Sequence, residues 1–484
     1  MQKIRYTFRF ILFLAIGASI AFISCQKNRI YTNSDAKLYF SEEIIAFDTI
    51  FTTIGSVTKI LKVSNPHKNT VKTDIILTGG SISNFSVNVD GVAGTYFKDV
   101  EIHGKDSIFI FIKVNLHPNG SNIPVVIADT LAFFTNGNHQ NVELVACGED
   151  AHFIVPDRVL RGSDGNIIMN YKVVADEGTN ITWTNDKPYV IYGYAVIDSV
   201  AKLKIESGTQ IYLHKGAGLW VYPGGCIHVD GTKDEPVVFQ GDGRSAANEF
   251  DFAQWDRIWL CEGRNDNIIN YAVIKNAFIG IQAEILERDM GNKLILTNTT
   301  IKCSQAYGFF GRSYRVDAFN NVISNCGNYC LSLVQGGIYN FINNTIYNQY
   351  SYSSRTTPAA YFSNVYYPSV ISPAIAADFE CRFINNIVYG TSSNEFNFYS
   401  VSATKFELYV DNCLIKTDKD ILEKVTASSD VLLNQNPLLG NVTEYDFSLQ
   451  NNSPCKGKGK KTAQVSEDIT GAPRNDPPSI GAYE

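Results

Sequence analysis

A short pattern recurs through the second half of the sequence, where one or two asparagines stand between an apolar stretch and a pair of β-branched residues. It occurs as "LTNTTIKC" (296–303), "AFNNVISN" (318–325), "FINNTIYN" (341–348) and "RFINNIVYG" (382–390). The repeated positions, with one that divides the longest gap, are Asn270, Asn298, Asn320, Asn343, Asn364 and Asn385. Successive members lie 21 to 28 residues apart. This period, without helical periodicity, predicts a β-solenoid built from stacked rungs of short strands.

These asparagines are expected to have a structural role. Asparagine tolerates the left-handed backbone conformation that a tight turn requires. On stacked rungs, each side-chain amide can donate to the next, and one such hydrogen bond contributes about 1 kcal/mol net. We therefore expect the six positions to form a ladder along the solenoid rather than a catalytic site.

Two further stretches carry a resemblance to a known family. In residues 201–241, short apolar pairs alternate with polar residues and are separated by turns that contain glycine. This stretch resembles the opening coils of right-handed parallel β-helix proteins, the pectin-lyase-like superfamily, and "DITGAPRNDPPSIGAYE" (468–484) resembles their usual ending. The resemblance implies a right-handed parallel β-helix over 153–484. It does not imply one function, because the superfamily contains lyases, hydrolases, adhesins and binding proteins.

Residues 36–152 have a different pattern. Alternating runs such as "TKILKVSNP" and "SIFIFIKVNL" are punctuated by glycine, asparagine and proline. Several strands in such a length predict an immunoglobulin-like β-sandwich. The fold class expected for the whole chain is therefore all-β.

The first residues are typical of an exported protein. Residues 1–24 combine basic residues with a short apolar core, which predicts a signal peptide. "FISC", which ends at Cys25, resembles the bacterial lipobox, whose cysteine is lipidated, as in Bacteroidetes-type lipoproteins. The resemblance implies an outer-membrane lipoprotein with a tether at 25–35, on the periplasmic or the outer side. The alternative is a plain signal peptide with an incidental cysteine.

Charge and composition exclude several classes of function. The formal net charge of −7 disfavours nucleic acid as a partner. All seven histidines precede residue 229, and the cysteines lack metal-ligand spacing, so no metal or cofactor is predicted. A calcium site is possible but has no motif. We interpret the cysteines after Cys25 mostly as small buried apolar residues.

A charged loop at 283–293 is the first candidate catalytic element. It contains Glu284 and Asp289, and it adds residues relative to one rung. Carboxylates on a protruding loop can act as general acid and base. The alternative is a solvated charged loop.

The stretch "GRSYRVD" is the second candidate. It supplies Arg312, Tyr314, Arg315 and Asp317. A lyase needs a base beside a uronate and a cation for its carboxylate, and tyrosine with arginine can serve. Period-2 alternation predicts that Arg312 and Tyr314 share one face of a strand. The alternative is a surface Arg–Asp pair.

Residues 318–377 form a nearly uncharged, tyrosine-rich stretch. It has no Asp or Glu, and Arg355 is its only cation. Tyr347, Tyr350 and Tyr352, with Arg355, are the candidate glycan-binding residues, because sugar C–H faces stack on aromatic rings. The alternative is that the tyrosines only stiffen the sheet.

Three functions are therefore weighed. The first is an anchored cell-envelope lipoprotein whose β-helix binds a polysaccharide or other glycan. The alternative is a polysaccharide lyase or glycoside hydrolase, which the superfamily favours but the missing hydrolase motifs disfavour. The second alternative is a structural or adhesive surface protein with the solenoid as a rod.

Overall fold

The computed structural model describes residues 29–51, 58–114, 125–242, 251–287, 291–350, 355–369 and 372–484. The chain divides into two compact units, Met1–Asp150 and Ala151–Glu484. The predicted signal peptide and Cys25 lie outside the described residues. No helix in the described ranges is long and apolar enough to cross a membrane.

The first unit is a β-sandwich. Its strands are β1 (Tyr39–Phe40), β2 (Ile44–Phe51), β3 (Lys59–Ser64), β4 (Val71–Leu77), β5 (Phe85–Val89), β6 (Val92–Gly94), β7 (Tyr96–Ile102), β8 (Ser107–Val114), β9 (Val125–Thr135) and β10 (Asn138–Glu149). One sheet has the order β1-β3-β8-β5-β6, the other has the order β2-β10-β9-β4-β7, and a short 3₁₀ helix spans Gly80–Ile82.

The sandwich forms because its strands alternate apolar and polar residues. In β4, every second side chain from Val71 to Leu77 is buried, as expected for a strand with one face on a core. Leu61 and Ile110 from one sheet share a buried cluster with Phe133 from the other. The two sheets thus form a β-sandwich, and its immunoglobulin-like arrangement stays a prediction.

The second unit is a parallel β-helix with three sheets, named here A, B and C. Sheet A contains β11 (His152–Ile154), β15 (Tyr189–Ile191), β18 (Gln210–Leu213), β21 (Val237–Gly241), β24 (Ala272–Lys275), β27 (Thr300–Ser304), β30 (Val322–Cys326), β33 (Thr345–Asn348), β38 (Ile387–Gly390), β41 (Leu414–Ile415) and β43 (Leu432–Leu433). Sheet B contains β12 (Arg158–Arg161), β13 (Ile167–Ala175), β16 (Tyr194–Ile197), β19 (Gly218–Val221), β22 (Trp255–Leu260), β25 (Ala277–Glu284), β28 (Tyr307–Arg312), β31 (Tyr329–Val334), β34 (Ala360–Ser363) and β39 (Phe396–Tyr399).

Sheet C completes each rung. It contains β14 (Asn180–Trp183), β17 (Lys202–Glu206), β20 (Cys226–Asp230), β23 (Asn267–Asn270), β26 (Leu294–Thr297), β29 (Arg315–Phe319), β32 (Gly337–Ile342), β37 (Phe379–Ile384), β40 (Phe406–Asp411) and β42 (Ala427–Ser429). A small hairpin, β35 (Val365–Tyr366) and β36 (Ile375–Ala376), lies between β34 and β37 of one rung, and short helices span Lys419–Leu422 and Val442–Glu444.

The core of the β-helix is a set of apolar stacks that run from rung to rung. On sheet C, register pairing aligns a buried position of each strand with the same position of the next. This stack contains Ile205, Val229, Ile269, Leu296, Ala318, Phe341, Phe383 and Val410. The predicted all-β fold with a parallel β-helix solenoid is confirmed.

The outer asparagines lie at the turn between sheets C and A. Asn298, Asn320, Asn343 and Asn385 have φ values of 50°, 55°, 56° and 54°, in the left-handed region that asparagine tolerates. At the Asn270 turn, the left-handed residue is instead Tyr271, although Asn270 Oδ1 still accepts from Asn298 Nδ2 at 3.0 Å.

Asn364 was wrongly placed in this series. It lies after β34 of sheet B, and its amide donates to Val401 O at 2.8 Å and to Thr404 Oγ1 at 3.0 Å. The long gap after Asn343 is not two regular rungs, because this one rung also contains the hairpin 365–376. Dividing a gap into equal parts cannot distinguish an insertion from two repeats.

A second column of asparagines lies directly inside the first. Asn321, Asn344 and Asn386 are fully buried. Asn321 donates from Nδ2 to Asn344 Oδ1 at 2.9 Å, and Asn344 donates to Asn386 Oδ1 at 2.9 Å. Each also donates to a backbone carbonyl one rung earlier, at 2.8 to 3.0 Å. This inner ladder joins consecutive rungs through the core.

The outer asparagines also hold the C-terminal segment, residues 434–484 after the last strand, against the β-helix. Side-chain amides of Asn320, Asn343, Asn385 and Asn412 donate to backbone carbonyls of residues 458–481 at 2.7 to 3.0 Å. The segment therefore packs along the turn between sheets C and A.

Candidate functional site

The three outer faces of the β-helix differ in what covers them. On sheet A, Tyr347 packs at 5.5 Å on Phe447 of the C-terminal segment, in a cluster that also contains Leu439 and Ile480. The C-terminal segment thus occupies this part of sheet A.

Sheet C presents a charged outer face. Lys204 pairs with Asp230 at 3.6 Å, and Lys405 pairs with Glu407 at 2.8 Å. Such exposed pairs are typical of a solvated surface and contribute little to stability. Sheet B carries aromatic and hydrogen-bonding side chains instead, which makes its outer face the candidate site.

The upstream half of this face is built on two stacked tryptophans. Trp220 and Trp259 alternate with the core residues Leu219 and Ile258, so their rings point outward. Parallel pairing places them opposite each other, with ring centroids 5.0 Å apart and planes at 12°. The same register column continues through Gln282, Phe310, Ser332 and Tyr361.

A charged network lies beside the tryptophans. Glu284 Oε1 accepts from Trp259 Nε1 at 2.8 Å and from Gln282 Nε2 at 2.7 Å. Its other oxygen accepts from Arg312 Nε at 2.7 Å. Arg257 donates to Gln282 Oε1, so the two arginines are linked through one amide and one carboxylate.

An open groove of about 630 Å³ lies next to this network. Tyr194, Asp256, Arg257 and Trp259 line it. The Tyr194 hydroxyl donates to Asp256, whose other oxygen pairs with Arg257 Nη2 at 2.9 Å. Burial, and then the negative charge of Asp256, raise the pKa of Tyr194 well above its ordinary value, so the phenol stays protonated at neutral pH.

A single glycine makes room for this arrangement. Gly218 pairs with Tyr194 on the next strand. A Cβ at position 218 would lie 2.6 Å from the Tyr194 ring, which is closer than two carbon atoms can approach. The missing side chain lets the ring lie over the strand.

The downstream half of the face carries a tyrosine column. Tyr307 and Tyr329 stack with centroids 5.6 Å apart and planes at 6°, and Tyr361 follows at 5.6 Å. Tyr366 of the hairpin packs on Phe310 at 6.3 Å. The four tyrosines present half-buried rings along the rungs, whereas Phe310 is buried in an apolar cluster on the outer face of sheet B.

The predicted catalytic residues are brought together only in part. Glu284 and Arg312 form the buried ion pair described above, but Tyr314 does not join them. Ser313 has φ of 53°, so the chain turns there from sheet B to sheet C and strand alternation stops. The prediction that Arg312 and Tyr314 share one face is therefore wrong.

Tyr314 lies in the core. It is fully buried, and its hydroxyl donates to Cys261 O at 3.0 Å while accepting from Asn292 Nδ2 at 2.8 Å and from Asn267 Nδ2 at 3.1 Å. Burial raises the pKa of this phenol above its ordinary value. A protonated, fully bonded core hydroxyl cannot serve as a base for an external substrate.

Two other predicted catalytic residues lie apart from the network. Arg315 and Asp317 are on sheet C, and Asp317 pairs with Lys293 at 2.6 Å rather than with Arg315. Asp289 lies outside the described residues.

The predicted glycan-binding residues do not form an exposed face. Tyr347 lies on sheet A under the C-terminal segment. Tyr350 is buried and packs at 5.0 Å on Phe252, and Tyr352 lies outside the described residues. The Arg355 side chain, 2% exposed, forms a two-point ion pair with buried Glu395 at 2.6 and 2.9 Å. Tyr347, Tyr350 and Arg355 are thus structural in this fold.

Sequence reasoning missed the residues that do form the site. Trp220, Trp259, Arg257, Tyr194 and Asp256 stand among ordinary strand residues. A usable signal was present, since two of the four tryptophans of the chain occupy polar positions of alternating strands. Within the described ranges, no three His, Cys, Asp or Glu side chains group as a metal ion requires.

Comparison with protein families adds to this geometry. Residues 174–270 match the model of the family described as "Pectate-lyase like beta helix domain". The matched residues lie within the parallel β-helix described above. This match covers the part of the domain that contains Trp220, Trp259, Tyr194 and Asp256.

Other comparisons contribute less. No curated protein matches the chain significantly. A protein of unknown function from Porphyromonas gingivalis W83 shows 11% identity over 26% of this chain and 50% of its own, with a TM-score of 0.18. A family 123 glycoside hydrolase from Clostridium perfringens shows 8% identity over 23% of this chain and 25% of its own, with a TM-score of 0.16. At such scores neither structure bears on the function of the β-helix.

Proposed function

We propose that the β-helix binds glycans along the outer face of sheet B. The observation that carries this proposal is the stacked pair Trp220 and Trp259 beside the groove. Aromatic rings flanked by amide and charged groups suit sugars, whose C–H faces stack while their hydroxyls need donors and acceptors. The family of the domain is consistent with a carbohydrate-related role.

Binding without cleavage is favoured by the state of the charges. Asp256 is paired with Arg257 and Glu284 with Arg312. A carboxylate held in an ion pair with an arginine is a poor general acid or base at neutral pH. An arginine already paired is also less available to hold a uronate carboxylate.

A polysaccharide-active enzyme is the second candidate. The place of Tyr194 in the groove favours it, since a tyrosine hydroxyl that a substrate can reach can act as a proton donor to a leaving group. In such an enzyme, Tyr194 would be the general acid.

The proposal includes an anchor at the cell envelope. A lipidated Cys25 followed by the 25–35 tether would hold the protein on the outer membrane, with a polysaccharide or other glycan as its partner. A single lipid chain gives only marginal membrane binding, so stable anchoring needs more than one.

The test compares binding and cleavage in one experiment. The chain from residue 26 onward is run in affinity gels that contain neutral or uronic-acid polysaccharides, and the same mixtures are assayed for new reducing or unsaturated ends. Retardation that Trp220→Ala and Trp259→Ala each abolish, without new ends, supports the binding function. The matched control is Tyr409→Ala, an aromatic substitution on sheet C, which is expected to bind normally.

Each other outcome has a defined meaning. If the wild type produces new polysaccharide chain ends and Tyr194→Phe does not, the protein is a polysaccharide-active enzyme and the binding proposal is wrong. Wild-type protein that is retarded by none of the polysaccharides would contradict glycan binding.

A further inference from the structure

One wall of the groove carries two exposed isoleucines. Ile167 and Ile168 line the groove from β13 and are 54% and 60% exposed. Single exposed apolar residues need no explanation. Two adjacent isoleucines in a groove that also has polar lining residues are a different case. Their apolar surface is removed from water only when a ligand covers it.

The backbone explains why both side chains reach the groove. Consecutive strand residues normally point to opposite faces. Between β12 and β13, however, the pairing shifts: Leu160 faces Met169 and Arg161 faces Ile167, so Ile168 is the extra residue of a β-bulge. A bulge redirects a side chain and occurs often beside functional sites.

The groove also supplies hydrogen-bond donors. Asn170 lines it from the same strand as the two isoleucines, and Lys215 lines it from the turn between β18 and β19. A ligand group that suits both kinds of lining has a methyl group next to a carbonyl oxygen. An acetyl group on a sugar has this chemistry, since its methyl can pack on the isoleucines while its carbonyl accepts from an N–H donor.

We infer that the Ile167–Ile168 wall recognises an acetyl substituent of the glycan, so that the protein selects acetylated over unsubstituted sugar chains. This inference rests on the proposed glycan-binding function. Burial of one methyl group in an apolar site typically gives about tenfold discrimination. We therefore expect acetylated chains to bind about tenfold more tightly than the same chains without acetyl groups.

The experiment uses matched ligand pairs and matched variants. Acetylated xylo-oligosaccharides and acetylated glucomanno-oligosaccharides, each with its alkali-deacetylated form, are titrated into the protein by calorimetry. The variants are Ile168→Asn alone and the double substitution Ile167→Asn with Ile168→Asn. Val159→Asn is the control, because Val159 is 47% exposed on the same hairpin but does not line the groove. Melting temperatures confirm that each variant is folded.

The expected result is a preference for acetylated ligands that both Ile variants reduce and Val159→Asn retains. Equal binding of acetylated and deacetylated chains by the wild type would overturn the acetyl inference and leave glycan binding intact. A preference that Val159→Asn also abolishes, or that survives the double substitution, would overturn it too. Failure to bind either form of any ligand pair would count against both proposals.

Discussion

At the scale of single residues, buried amides fix how one rung sits on the next. Asn344 accepts from Asn321 through a backbone N–H and a side-chain N–H, both at 2.9 Å, and donates to Asn386 and Ala318. Truncating this side chain leaves buried polar groups on two neighbouring rungs without partners. Each such group costs about 1–3 kcal/mol.

Asn344→Ala is therefore expected to lower the free energy of unfolding of the β-helix by about 3 kcal/mol. Thermal and urea unfolding followed by tryptophan fluorescence measure this change. Asn340→Ala is the matched control, because Asn340 lies on the outer face of sheet C, and its loss should change stability by no more than about 0.5 kcal/mol. Equal effects of the two substitutions would show that the inner ladder has no special role.

The cysteines give a second prediction at this scale. Eight cysteines in the described ranges are free and buried, and burial raises the pKa of Cys261, Cys413 and Cys455 to about 12. Since the thiolate is the reactive form, iodoacetamide at neutral pH should leave all eight unmodified in the folded protein. Mass spectrometry after labelling, with and without urea, measures this. Rapid labelling of Cys413 in native buffer would contradict the described packing.

The asparagine repeat was visible in the sequence, but its inner column was not. In each "NN" pair the first asparagine takes the left-handed turn, which directs the second into the core. Sequence alone shows two equivalent amides side by side. Which of them is buried depends on the turn geometry, and a period count does not contain that information.

At the scale of elements, the C-terminal segment is held by one buried arginine. Arg474 Nη2 donates to Asn320 Oδ1 at 2.7 Å and to Gly481 O at 2.9 Å, while Nη1 lies 3.5 Å from Glu484. Both side chains of the Arg474–Glu484 pair are largely buried. Removing one partner of a buried ion pair typically costs about 3–5 kcal/mol.

Arg474→Ala should accordingly release the C-terminal segment. The expected result is faster hydrogen exchange and proteolysis within 456–484, with protection of sheet B unchanged. Lys461→Ala is the control within the same segment, because the Lys461–Asp476 pair is exposed and worth at most about 1 kcal/mol. Unchanged exchange in the arginine variant would mean that the asparagine contacts alone hold the segment.

Turns between sheets limited what could be predicted about the candidate site. Strand alternation was applied across Ser313, where the chain passes from sheet B to sheet C, and this placed Tyr314 on the wrong face. Arg312 and Glu284 were nevertheless found from their residue types alone, although they lie 28 residues apart in the sequence. Their contact depends on the pairing of β25 with β28.

At the scale of the whole β-helix, the repeat predicted the fold because each rung obeys the same local rules. It could not predict which outer face is free. Part of sheet A is covered by the C-terminal segment, whose residues lie far along the chain from the strands that they contact, such as Phe447 and Tyr347. Only the assembled domain shows that the aromatic outer face of sheet B carries an open groove.

The geometry of that face predicts how affinity should depend on ligand length. Trp220 and Tyr361 occupy one register column five strand steps apart, which is about 24 Å at the usual strand spacing. A sugar chain lying along this face of sheet B would gain contacts between the half-buried rings of Trp220 and Trp259 at one end and that of Tyr361 at the other, until it spans both ends. Affinity for size-graded oligosaccharides, measured by calorimetry, should therefore rise with length and then level off.

Two variants separate the ends of the column. Trp259→Ala should weaken binding of oligosaccharides of every length, because its ring lies at the groove. Tyr361→Ala should affect only the longer ones, by about two- to tenfold, since one aromatic stacking contact is worth about 0.5–1.5 kcal/mol. Two results would contradict this prediction. Tyr361→Ala could lower the affinity for short and long ligands equally, or the affinity of the wild type could be independent of ligand length. Either result would show that the ligand occupies only the groove and does not extend along the rungs.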